Sequence, residues 1–201
     1  MKKATPKLIT TFTILIVALV AFVAYYAYLA NRKQEAKDEA TLSAVQETLS
    51  RNMNNNYPAT PKEVIKYYNE ILKCFYNEEC TDEEIEELGQ RARELYDAEL
   101  LEANELGTYM LRLREEIADY KENNRRIINA VVAASTNVDY FMEDGFSFAR
   151  IMCVYYIMEG DQSYPTNQVY LLRKDDENHW KIYGWEDASN LQINRENETV
   201  E

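Results

Sequence analysis

Residues 146–158 read Phe-Ser-Phe-Ala-Arg-Ile-Met-Cys-Val-Tyr-Tyr-Ile-Met. Outside the first thirty residues no apolar run is longer, and its β-branched and aromatic content favours a strand. It is too continuous for an edge strand with one wet face, so it is expected at the centre of a sheet. Its neighbours suit that role. Ile127–Ser135 is rich in Ile and Val, and Val138–Met142 makes a second short strand before the turn Glu143-Asp144-Gly145. Downstream, Gly160–Thr166 reads as a loop. Gln168–Lys174 and His179–Trp185 then read as a hairpin around Asp175–Asn178.

Upstream the pattern is helical. Thr60-Pro61-Lys62-Glu63 is a capping box with proline at the first helical position, and Thr81-Asp82-Glu83-Glu84 is a second box. The first predicts a helix to about Tyr76, with Val64, Tyr67 or Tyr68, Ile71, Leu72 and Phe75 on its apolar face. After the second, Ile85, Leu88, Ala92, Leu95 and Tyr96 keep helical spacing. A short helix over 97–104 and a longer one over 108–123 follow, the latter with Leu111, Ile117 and Tyr120 as core contacts. Helices first and an antiparallel sheet afterwards predict an α+β domain over residues 57–187.

Further out, Leu8–Asn31 holds 24 residues without a charge. As a helix it reaches about 36 Å, enough for a hydrocarbon core of about 30 Å. Ala24, Ala27 and Ala30 each follow a bulky residue two positions back, which disfavours signal-peptide cleavage. The run is therefore expected to be an uncleaved single-pass anchor at the cell membrane. Residues 1–7 would be cytoplasmic and the domain extracytoplasmic. Residues 32–56 are expected to form a helical stalk, with Leu42, Val45 and Leu49 on one stripe that could also seed a coiled coil. Asn52–Asn56 breaks it. Residues 188–201 are expected to be a disordered tail.

Charge excludes one class of partner. Five of the 22 basic residues lie in residues 1–33, leaving 17 against 35 acids, a net of −18. So acidic a domain should avoid nucleic acid. The acids at 82–87 lack the spacing and glycine of a calcium loop. They read as a solvated first turn, with Glu87 able to pair with Arg91. The one histidine, His179, sits at a turn and reads as solvated. No metal or cofactor is expected, because no such motif is present. Cys74 and Cys80 are six apart and allow either a disulfide or two free thiols; Cys153 reads as a buried small apolar residue. The remaining candidates to line a pocket are Tyr155, Tyr156, Tyr170, Tyr183 and Trp185. Alternation sends Tyr155 and Tyr156 to opposite faces. Asp139 is the one acid expected inside a strand.

The closing hairpin Asn178-His179-Trp180-Lys181-Ile182-Tyr183-Gly184-Trp185, after helices and long strands, resembles the nuclear-transport-factor-two-like, or cystatin-like, α+β roll. That resemblance covers residues 57–187 and implies a curved sheet around a long helix with a cone-shaped cavity. Tyr57-Pro58-Ala59-Thr60-Pro61, Ile71–Asn77 and Trp180–Trp185 together resemble an uncharacterised family of small membrane-anchored proteins of Gram-positive gut bacteria. It implies location and topology but no activity. The expected function is non-catalytic binding of an envelope protein or small ligand; the alternatives are an isomerase or hydrolase using Asp and Tyr in the cone, and a structural accessory of an envelope complex.

Overall fold

The computed structural model describes residues 43–188 and Tyr25. Within residues 43–188 five α-helices precede five strands: α1 (Ala44–Leu49), α2 (Pro61–Asn77), α3 (Asp82–Arg93), α4 (Ala98–Ala103), α5 (Leu106–Glu122), then β1 (Arg125–Val132), β2 (Asp139–Glu143), β3 (Phe146–Glu159), β4 (Gln162–Lys174) and β5 (Trp180–Asp187). The fold is α+β, with helices against an open antiparallel sheet ordered β1-β3-β4-β5. β1 and β2 lie end to end along one edge of β3, and β4 runs along the other. The run at 146–158 is thus the central strand. Its wet face is real, however: Ala149, Ile151, Cys153, Tyr155 and Ile157 are buried while Arg150 and Tyr156 are exposed.

Both capping boxes form. The Thr60 side chain accepts from the Glu63 amide while the Glu63 carboxylate accepts from the Thr60 amide, and Thr81 and Glu84 repeat the arrangement. Reciprocal capping satisfies amides that a helix start leaves without partners. α2 is buried nearly all round, with both Tyr67 and Tyr68 in the core. Two amides reach the strands from it. Asn77 pairs with both backbone groups of Ile127, at 2.8 and 2.9 Å, beside the bulge between Ile127 and Asn129.

Several expectations are corrected. Residues 44–56 belong to the domain and are not a stalk. Val45 is 3% exposed and Met53 7%, and the two compact units of the chain divide between Ser43 and Ala44. The apolar stripe of α1 is used within its own domain, and Leu42 lies outside the described residues. Arg91 does not turn to Glu87. It pairs with Glu94 at 3.4 Å and donates to the Arg51 carbonyl at 3.0 Å, in the turn that follows α1.

Leu95 and Tyr96 leave the helix after Arg93. Ile182 donates to the Leu95 carbonyl and the Asp97 amide donates to the Ile182 carbonyl, so this segment extends the sheet beside β5. In α5 the buried residues are Met110, Leu113 and Ile117, whereas Leu111 points to solvent.

The expected loop Gly160–Thr166 is mostly strand. A two-residue turn at Gly160-Asp161, with Gly160 at φ +58°, lets β4 start at Gln162. Pro165 is tolerated because β5 reaches only to Gln168, leaving residues 162–167 an edge where no N–H is required. Ala188 is not a free tail residue: it is buried and donates to the Asn167 carbonyl at 2.8 Å. No helix among the described residues is long and apolar enough to cross a membrane. The expected anchor, apart from helical Tyr25, lies outside them, as do residues 1–7, 32–42 and 189–201.

Candidate functional site

Between α2, α5 and the inner face of the sheet lies a cavity in two lobes of about 170 Å³ each. Both are lined by Tyr68, Leu72, Tyr76, Glu116 and Trp185. The sheet-side lobe adds Tyr120, Tyr155, Tyr170, Thr166 and Gln168 with Ile127 and Ile157. The helix-side lobe adds Phe75, Tyr96, Tyr109, Leu113, Asn104 and Arg112. Glu116 and Trp185 are exposed and mark a way in from solvent.

The strand pattern explains which candidates meet here. Tyr155 and Tyr170 point inward and Trp185 pairs with Tyr170 across β4 and β5. Tyr156 is 40% exposed on the opposite face, as alternation requires. Tyr183 is also excluded, although it shares its parity with Trp185. A bulge lies opposite Leu171 and Leu172, so Tyr183 is the extra residue; it faces outward against Phe148 and donates to Glu99 at 2.8 Å. Asp139 does not enter either: it is exposed and pairs with Arg150 at 3.1 Å.

The hydroxyls form a chain. Tyr155 donates to Asn69 Oδ1, meets the Tyr170 hydroxyl at 2.7 Å, and Tyr170 lies 2.8 Å from Gln168 Oε1. Two hydroxyl protons thus serve three contacts, so Tyr170 donates to only one neighbour at a time. Tyr68 and Tyr96 share a second hydroxyl pair at 3.0 Å. Burial, the largest cause, pushes Tyr68, Tyr76, Tyr96, Tyr155 and Tyr170 far upward. Tyr120 is pushed up to about 12 by the same cause. These phenols are neutral donors at ordinary pH and do not act as bases. The one carboxylate lining the lobes is Glu116, beside the Tyr76 hydroxyl.

Sequence reasoning missed the helical half of this site. Tyr109, Arg112, Glu116 and Tyr120 form one stripe along α5, at intervals of three or four residues. That spacing was the available signal, together with 16 tyrosines in the chain. Asn69, the partner of Tyr155, lies 86 residues away and gave none.

A second cleft, about 640 Å³, opens where residues 93–98 meet the β4–β5 turn. It is larger and more charged. Arg173 donates twice to Asp97, once at 3.0 Å, and to Glu99 at 2.7 Å. Asp97 Oδ1 also accepts the Glu99 amide at the start of α4. Lys181 donates to the Glu94 carbonyl, and Arg93 to the Asn104 carbonyl. His179 is partly covered rather than free: its ring lies tilted against Tyr57 with centroids 4.3 Å apart, near Asp175 and Glu177. Most of its cations are committed to groups of the protein itself.

Cys74, Cys80 and Cys153 are free thiols in the structure. Cys80 donates to the Cys74 carbonyl at 3.3 Å, and Cys74 lies 3.4 Å from the Thr48 hydroxyl. Burial pushes Cys80 up to about 11 and raises Cys74 and Cys153, so none is a ready thiolate. Among the described residues, no group of three or more His, Cys, Asp or Glu is placed to hold a metal ion.

The family described as a domain of unknown function, DUF6715, matches residues 1–185, and the chain belongs to it. No curated protein matches the chain.

Proposed function

We propose that the chain is a membrane-anchored extracytoplasmic domain whose tyrosine-lined cavity binds a small ligand, or a partner's side chain, without changing it chemically. The observation that carries this reading is the cavity's lining. It offers ring faces and neutral hydroxyls, one exposed carboxylate and no nucleophile paired with a base. The charge-free run at 8–31 supports the anchor. We read the α2-filled inner face of the sheet as the cone of the α+β roll that the closing hairpin resembles.

A Trp180→Phe chain leaves Trp185 as the one tryptophan, at the mouth of the cavity. Titrating this full-length variant with a small-molecule fragment set should give saturable changes in Trp185 emission for some members. Crowding the wall shared by both lobes with Leu72→Trp should weaken them. The reading fails if no fragment registers, or if Leu72→Trp leaves every affinity unchanged.

The enzyme alternative has one observation in its favour, Glu116 beside the Tyr76 hydroxyl. Against it, Glu116 is exposed at the mouth of the cavity rather than enclosed within it. An accessory role in an envelope complex would be tested by crosslinking in intact cells. A chain recovered only as a monomer would count against it.

A further inference from the structure

We infer that the sheet-side lobe is a site for an organic cation, a protonated or quaternary amine. The inference rests on the ligand-binding reading above and names the class of ligand. Six of the lobe's twelve lining residues are aromatic: Tyr68, Tyr76, Tyr120, Tyr155, Tyr170 and Trp185. Glu116 is the single charged residue among the twelve, and it is negative. Arg112 lines the helix-side lobe and not this one.

Ring faces carry negative potential, so a group held among them gains from a positive charge and a diffuse, weakly hydrated one loses least on entry. Tyr68, Tyr170 and Trp185 form one tilted cluster with ring centroids 6.1–6.2 Å apart, and Tyr76 stacks on Tyr120 at 4.0 Å, so two aromatic groups border the lobe. Its roughly 170 Å³ exceeds the apolar cavity of about 150 Å³ known to admit benzene. A trimethylammonium group is smaller than benzene plus its contacts and fits. The net −18 of residues 34–201 draws cations toward the domain at long range. An anion would meet both the ring faces and Glu116 unfavourably. A neutral ligand would gain the burial but neither electrostatic contribution.

The test compares three probes of matched shape on the full-length Trp180→Phe chain: choline, the neutral 3,3-dimethylbutan-1-ol and the anionic 3,3-dimethylbutanoate. Choline should change Trp185 emission saturably and bind at least about tenfold more tightly than the alcohol, with the acid weakest. Glu116→Gln removes an exposed carboxylate and should weaken choline by about two- to fivefold, while added salt weakens choline alone. The variant's urea unfolding midpoint reports whether the fold is kept. If the alcohol binds as well as choline, or if fragments bind in the cavity and choline does not, the cation inference is overturned while the ligand-binding reading stands. If neither these probes nor any fragment registers, both fall.

Discussion

The charged cleft and the aromatic cavity of this domain differ in size and in what their polar groups do. The charged cleft beside β5 is nearly four times larger than either lobe of the aromatic cavity, about 640 Å³ against 170 Å³, yet its cations point at the protein. Arg173, Lys181 and Arg93 join the 93–99 segment to the sheet and to α4. The aromatic cavity is smaller and its hydroxyls are likewise paired within the protein, but it presents an aromatic lining and its carboxylate faces solvent. Volume and charge alone would select the first. The ring faces select the second, because a polar group already paired with its own protein has little to offer a ligand.

That contrast yields consequences of decreasing size. The largest is at high pH. The buried tyrosines have folded values raised above the ordinary 10, while the unfolded chain ionises near 10. Above that pH the unfolded state binds fewer protons, so stability falls as pH rises. Each such tyrosine contributes about 1.4 kcal/mol per pH unit beyond 10. Absorbance at 295 nm should therefore show the cavity tyrosines ionising in one step with unfolding. Independent titration near 10 with the fold retained would show that they are not enclosed.

Next, Asp97→Ala should remove two of the carboxylate bonds of Arg173, whose side chain is 12% exposed, and the cap of α4, leaving Glu99 as the remaining partner. The expected loss is about 2–4 kcal/mol, measurable by urea unfolding. A loss below about 1 kcal/mol would mean the charged cleft is not a structural brace. Tyr155→Phe should cost less, about 1–3 kcal/mol, because Asn69 Oδ1 loses its donor. It should also change Trp185 emission, whereas Asp97→Ala at temperatures where it stays folded should not. The smallest effect belongs to Asp139→Asn. The Asp139–Arg150 pair is exposed on both sides, and stability should change by less than about 0.5 kcal/mol.

Local rules carried far along this chain. The two capping boxes gave both helix starts to the residue, because the interaction spans three positions. Alternation separated Tyr155 from Tyr156 for a similar reason. Where the reading failed, a distant partner decided. Leu95 and Tyr96 fit a helix locally, but Ile182 draws them into the sheet. Tyr183 and Trp185 part company through a bulge that no local pattern marks. Asp97 and Arg173 stand 76 residues apart, and Asn69 and Tyr155 stand 86 apart. The site is assembled from such pairs, so its strand half was legible and its helical half was seen only as core.

The most direct test assigns the aromatic resonances of Tyr155, Tyr170 and Trp185 and those of Tyr57, His179 and Trp180, then titrates the full-length chain with choline. Saturable shifts confined to Tyr155, Tyr170 and Trp185 are expected, with Tyr57 and His179 unmoved. Shifts centred on Tyr57 and His179 would place the ligand in the charged cleft and contradict the account.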